Sequence, residues 1–333
     1  MIQTGLINSA HTDLVTCLAY DYYGTHLASC GLDQKICVTT VDQPPTLKSE
    51  WKAHNAPITH IAWAHPEFGD VLASAAMDRT VRIWDRGQEK AVLLDARGSV
   101  RQVEFAPSAF GLKLAAVATD GWLRVYECLD LAALDVWALA DAVQVAREEL
   151  VGKEVDAGCA LSWCKERYWG QLVAAVAGAT DVVKVIQFQP SGPQTILELH
   201  LPPASTTAPT AAITTVAWAP SCGRSYHLIA TGGRDGHVRI WKLHGPMLDD
   251  DDPAEDPPAE PSKWSAQLVA DFDDHARIGG LDGGVVGKVE WNVTGTILAS
   301  SGSDGRVRLW KPSLTSGGRI WRIAGSVGVE QKE

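Results

Sequence analysis

At 333 residues, 46% of them hydrophobic, the chain can bury a large core, and a formal charge of −11 argues against the basic surface that nucleic-acid binding needs. It reads without a signal peptide, a lipidation motif or an apolar run long enough to span a bilayer, so no direct membrane span is expected. The seven cysteines, at 17, 30, 37, 128, 159, 164 and 222, include no CxxC pair and make an odd total, which points to buried thiols in a reducing compartment.

In chain order, the first element is MIQTGLINSA (1 to 10), a short apolar strand over 2–9 with no hairpin attached. A first strand, VTCLAY (15 to 20), then leads into the phrase ASCGLDQKICVT (28 to 39). The same pairing recurs as ITHIAW (58 to 63) with ASAAMDRTVRIW (73 to 84), and as VRQVEF (100 to 105) with AAVATDGWLRVY (115 to 126). It returns in degenerate form as CALSW (159 to 163) with AAVAGATDVVKVIQF (174 to 188). ITTVAW (213 to 218) with ATGGRDGHVRIW (230 to 241) and GKVEW (287 to 291) with ASSGSDGRVRLW (299 to 310) complete six copies.

Each phrase reads as an apolar strand, a tight turn carrying Asp, and an alternating strand, as in Val81, Ile83 and Trp84 after Asp78. Outer strands follow at EKAVLLDA (89 to 96), QTILELHL (194 to 201), AQLVADF (266 to 272) and RIWRIAG (319 to 325). Four strands that cannot bury their own apolar faces make a propeller blade, stable only when stacked on neighbours. The expected fold is therefore a single all-β β-propeller domain over 1–333, with blades at about 11–54, 55–97, 98–147, 155–201, 210–273 and 275–325 and a flexible tail at 326–333. The stretch 247–262, MLDDDDPAEDPPAEPS, joins an acidic run to prolines and is expected to be a disordered loop within the fifth blade. Between 129 and 158 the pattern reads as a surface insertion plus strand, although DLAALDVWALADAVQVAREEL could begin as a short helix.

The strictly repeated polar residues have a structural role. His54, Ser74, Asp78 and Trp84 match the hydrogen-bonded tetrad of WD-repeat proteins, and His275, Ser300, Asp304 and Trp310 repeat it in the sixth blade. The first blade has His11, Ser29 and Asp33 but Thr39 in place of Trp, and the third and fifth lack the histidine. A hydrolase reading of Ser, His and Asp is outweighed by this recurrence and by the lack of a G-x-S-x-G elbow, so no catalytic residue is assigned. The ten histidines show no ligand spacing, and GGLDGG (279 to 284) lacks the lysine and the helix of a phosphate loop. Neither a metal nor a cofactor is expected. Most of the thirteen tryptophans fall at repeat positions, as inter-blade packing requires.

WAHPEFGDVLAS (63 to 74), WNVTGTILASSG (291 to 302), GRSYHLIATGGRDGHVRIWKL (223 to 243) and the opening AHTDLVTCLAYDYYGTHLASCGLDQKI resemble the small WD-repeat nucleoporins of the Y-shaped nuclear pore scaffold complex, homologues of the vesicle-coat outer-cage propeller. The resemblance covers nearly the whole chain; the acidic insertion and the thick 129–158 segment depart from it. It implies a non-enzymatic scaffold at the nuclear pore, an open six-bladed propeller whose seventh blade comes from a helical-solenoid nucleoporin, and other Y-complex subunits as partners. It also implies a second assembly, at the vacuole or lysosome, that regulates amino-acid signalling to the TOR kinase. The count of six repeats and the orphan strand point independently to insertion in trans. Ile2, Leu6 and Asn8 would then pair with the incoming strands, and Val15, Cys17, Ala19, Val289 and Trp291 would form the walls. A ring closing on itself, a vesicle-coat propeller and a ubiquitin-ligase substrate receptor stay open as alternatives.

Overall fold

Alternating apolar residues, punctuated by Asp-containing turns, fold as antiparallel strands wherever the repeat occurs. The computed structural model describes residues 10–41, 45–146, 158–202, 212–246, 264–273, 277–278, 281–282, 284–315 and 318–328. They group into two compact units: Met1–Trp163 with Ala175–Thr180, and Cys164–Ala174 with Asp181–Glu333.

The first unit opens with β1 (Val15–Tyr20), β2 (His26–Gly31), β3 (Lys35–Thr40) and β4 (Thr46–Lys52), hydrogen-bonded in that order as the first blade. The second blade is β5 (Ile58–Trp63), β6 (Val71–Ala76), β7 (Val81–Asp85) and β8 (Gln88–Leu93). The third is β9 (Val100–Phe105), β10 (Lys113–Ala118), β11 (Trp122–Cys128) and β12 (Trp137–Gln144). The fourth sheet, through which the division between the units runs, orders β13 (Cys159–Trp163), β14 (Gln171–Ala177), β15 (Val182–Gln189) and β16 (Gly192–His200).

In the second unit the fifth blade is β17 (Ile213–Trp218), β18 (His227–Gly233), β19 (Val238–His244) and β20 (Ser265–Phe272). A two-residue ladder joins β21 (Arg277–Ile278) to β22 (Leu281–Asp282). The sixth blade is β23 (Val286–Trp291), β24 (Leu298–Gly302), β25 (Arg306–Thr315) and β26 (Gly318–Gly328). The protein is thus all-β, with WD-repeat propeller blades in six copies and no α-helix among the described residues.

Local chemistry explains the hairpins. The residue after the turn aspartate is left-handed in five blades: Gln34, Arg79, Gly121, Gly236 and Gly305 all have φ between 67° and 85°. Glycine takes this conformation without strain, which is why Asp-Gly recurs in three of the phrases. A register shift interrupts each pairing of third with fourth strand beside the tetrad position, for example between Ile83 and Trp84 and between Leu309 and Trp310. Such bulges add twist and re-aim one side chain, here the aromatic.

The apolar cores lie between neighbouring blades. Cys17, Ala28, Ile36 and Val38 of the first blade pack with Ile58, Ile61, Leu72 and Trp84 of the second. Leu228, Val238 and Ile240 of the fifth pack likewise with Val289, Leu298 and Trp310 of the sixth. One expectation needs correction. Residues 326–328 extend β26 instead of beginning a tail, because Val327 pairs with Val307 and Gly328 with Arg306. Beyond Cys128 the expected insertion plus strand is a turn at 131–133 followed by the strand Trp137–Gln144; 147–157 lie outside the described residues, as does 247–262.

Candidate interaction surfaces

The tetrad residues come together in the second blade. Trp84 Nε1 donates to Ser74 Oγ at 2.8 Å, Ser74 Oγ lies 2.7 Å from His54 Nε2, and His54 Nδ1 lies 3.0 Å from Asp78 Oδ2. Because Ser74 accepts from the indole, its own proton serves His54 Nε2, and the ring proton sits on Nδ1 facing the carboxylate. Burial lowers the His54 pKa against the pull of Asp78, so the ring is neutral at pH 7. Burial alone would raise the Asp78 carboxyl, but the hydrogen bond from Thr80 and the contact with His54 hold it below the usual carboxylate range. With His54 neutral, the Nδ1 hydrogen bond carries more of that effect than a full imidazolium charge. Ser74 is 0% exposed, so no substrate reaches its hydroxyl.

The other blades vary this arrangement. In the first, His11 lies 3.0 Å from Asp33 and 2.9 Å from Ser29, and Thr39 supplies no indole. In the sixth, Trp310 Nε1 donates to Ser300 Oγ at 2.8 Å, while His275 lies outside the described residues. Where the histidine is missing, an arginine four residues past the aspartate replaces it. Arg124 binds Asp120 at 2.6 Å in the third blade and Arg239 binds Asp235 at 2.7 Å in the fifth. Arg308 pairs with Asp304 in the same way in the sixth. In the second blade, with His54 on the aspartate, Arg82 turns instead to Glu89 at 2.6 Å. The Asp-x-x-x-Arg spacing was visible in the sequence as DRTVR, DGWLR, DGHVR and DGRVR.

The expected walls of a partner site are placed differently. Cys17 and Ala19 pack against the second blade, where Trp63 Nε1 donates to Ala19 O at 3.1 Å. Val289 and Trp291 pack against the fifth, where Trp291 Nε1 donates to Ala217 O at 3.1 Å. Alternation puts those side chains on covered faces. On β1 the uncovered large apolar residues are Val15, one of the expected walls, 40% exposed, and two that sequence reasoning missed, Leu18 at 54% and Tyr20 at 58%. On the sixth blade the uncovered face carries Val307 and its pair Val327, each 38% exposed, along with Lys288 and Glu290. Ile2, Leu6 and Asn8 lie outside the described residues.

Three first strands, β1, β5 and β17, are also locked to the next blade by a hydroxyl at their bulge. Thr16 donates to Ile58 O at 2.7 Å, Thr59 to Val100 O at 2.6 Å and Thr214 to Val286 O at 2.6 Å. On β23 the corresponding residue is Gly287, which has no hydroxyl to offer.

The WD domain, G-beta repeat family (WD40) matches residues 4–39, 45–85, 202–242 and 267–311. Over nearly its full length the chain is also similar to Nucleoporin SEH1 of Saccharomyces cerevisiae, 34% identical across 93% of this chain and 95% of that protein. The chain belongs to the SEH1 nucleoporin family. Its similarity to Nucleoporin seh1 of Schizosaccharomyces pombe is 34% identity across 99% of this chain and 98% of the relative. To Nucleoporin SEH1 of Homo sapiens it is 31% identical across 96% of this chain and 86% of the relative. Membership makes it a WD-repeat nucleoporin scaffold, and the relevant parts of such a protein are its faces and edges.

Proposed function

We propose that this chain is a non-enzymatic subunit of the Y-shaped nuclear pore coat that accepts a blade donated by a helical-solenoid nucleoporin. The observation that carries this reading is the bare face of the first blade, where Leu18 is 54% exposed although its counterpart Ile61 in the second blade is 1% exposed. Donated strands would stack on that face as the blades of each unit stack on one another, burying leucine and tyrosine surface at ~25 cal/mol per Å². The segment 2–9 would supply the edge that pairs with them. The uncovered Val307 and Val327 of the sixth blade form a second apolar face for the same partner to cover.

The test is to purify the tagged chain from cells and identify what accompanies it, beside a Leu18→Glu variant of unchanged melting temperature. A solenoid nucleoporin with other Y-complex subunits should co-purify with the parent chain and fall by at least ~tenfold with the variant, since a desolvated carboxylate costs more than 1.4 kcal/mol. Undiminished partner recovery with Leu18→Glu would overturn the reading. Capture of vacuolar or lysosomal subunits in the same experiment would assign the chain to the TOR-regulating assembly as well.

A further inference from the structure

The residue just past the tetrad position of the third strand finds a side-chain or backbone partner in five blades. Thr40 Oγ1 bonds Thr46 Oγ1 at 2.8 Å in the first, Asp85 pairs with Lys90 at 3.7 Å in the second, and Glu127 pairs with Lys113 at 3.4 Å in the third. Gln187 Nε2 donates to Trp169 O at 3.2 Å in the fourth, and the Lys242 ammonium lies 4.4 Å from the centre of the Tyr226 ring in the fifth. In the sixth that residue is Lys311, which is exposed and has no side-chain partner among the described residues.

Lys311 stands directly opposite Arg322, which is also exposed and also unpaired among the described residues. Like charges facing each other across a sheet repel. Even spacing from Val307 puts Lys311 on the uncovered face of the blade, and the register puts Arg322 beside it. The exposed Ile320 and Val327 lie on the same face. No carboxylate balances the two cations. Lys288 and Glu290, the other charged residues of that face among those described, lie 3.8 Å apart and neutralise each other. GRVRLWKPSLTSGGRIWRIAGSVG (305 to 328) contains no Asp or Glu at all, in a chain whose formal charge is −11.

In water an exposed pair of cations costs little. Once a donated blade covers Val307 and Val327, the adjoining Lys311 and Arg322 lose solvent, and a desolvated charge without an opposite partner is strongly unfavourable. We propose, building on the donated-blade reading, that the donor presents a carboxylate from an Asp or Glu of its outer strands to Lys311 and Arg322, so that this pair selects an acidic blade over a neutral or basic one. The acidic stretch 247–262 of the same chain is the rival occupant. It lies in sequence between the third and fourth strands of the fifth blade, however, and Trp310 faces that blade while Lys311 faces away from it.

The test uses the complex that co-purifies with the tagged full-length chain. Zero-length carbodiimide coupling, which joins an amine to a carboxylate only in contact, should link Lys311 to an Asp or Glu of the co-purified protein. Lys311→Glu combined with Arg322→Glu should lower recovery of that protein at least ~tenfold, because carboxylates then meet a carboxylate, whereas the charge-keeping exchange Lys311→Arg with Arg322→Lys should hold recovery within about twofold. The reversed pair should melt with the parent chain, since Glu opposite Glu repels as Lys opposite Arg does. Undiminished recovery with the reversed pair would overturn the proposal. So would coupling of Lys311 to nothing, or only to residues 249–260 of the chain itself. Leu18→Glu tells the two readings apart: if it abolishes recovery and the reversed pair does not, the donated blade stands and its carboxylate falls, whereas if neither does, both fall.

Discussion

VTCLAY of the first blade and ITHIAW of the second align residue for residue, yet the two strands live in different surroundings. Val15 and Leu18 are 40% and 54% exposed, while the matching Ile58 and Ile61 are 0% and 1% exposed. The second strands differ in the same sense: every residue of β6 is buried, but His26 and Ser29 of β2 are not. The repeat thus provides two apolar faces in every blade, and the neighbours decide how many of them are used. Within the second unit the contrast recurs between Val238 at 0% and Val307 at 38%. A face built like its buried counterparts but left bare is the feature to test.

The largest expected effect follows from this contrast. In the isolated chain, Ile61→Ala should cost about 2 to 5 kcal/mol in urea unfolding, since it empties a packed inter-blade site, whereas Leu18→Ala should stay within about 0.5 kcal/mol. Equal losses would mean that the first-blade face is already covered, and the comparison would collapse. A second effect tests how dry the two-sided blades are. His227 in the fifth blade is 1% exposed, and Trp169, Trp218 and Trp264 lie within 5.7 Å of its ring. Burial, with Arg224 adding to it, pushes its imidazole down to about 4 from 6.5. Between those values the unfolded chain binds a proton that the folded chain refuses, so stability falls as the pH drops from about 6.5 to 4. The loss should reach roughly 3 kcal/mol. His54 titrates in the same sense, so the informative measurement is the difference between the parent chain and His227→Gln at pH 7 and pH 4. An unchanged difference across that range would show that water reaches His227.

The strand plan was legible because alternation and the turn aspartate are local signals: VTCLAY, ITHIAW, VRQVEF, CALSW and ITTVAW are the first strands residue for residue. The tetrad members could be named for the same reason. What alternation could not supply was direction. It separates Cys17 and Ala19 from Leu18 and Tyr20, but only the placement of the next blade tells which set is covered: Cys17 and Ala19 face the second blade, while Val15, also named as a wall, is 40% exposed. The arginine that replaces histidine on Asp120 and Asp235 was written in the spacing and passed over, because Arg in an alternating strand reads as solvated surface.

The smallest expected effect separates the two histidine-bearing tetrads of the first unit. Ser74 serves two partners, accepting from Trp84 Nε1 and bonding His54 Nε2, and Trp84 is only 4% exposed. Ser29 bonds His11 Nε2, but Thr39 stands where the tryptophan would be, so no indole depends on it. Ser74→Ala should therefore strand a buried N–H that Ser29→Ala does not, and cost about 1 kcal/mol more in urea unfolding. The excess has one stated source, and a double-mutant cycle can isolate it. In a Trp84→Phe background the ring still fills its site but the N–H is gone, and the cost of Ser74→Ala should shrink to that of Ser29→Ala. If Ser74→Ala and Ser29→Ala cost the same in the parent chain, the indole bond adds nothing to the second blade. Its difference from the first blade would then rest on packing alone.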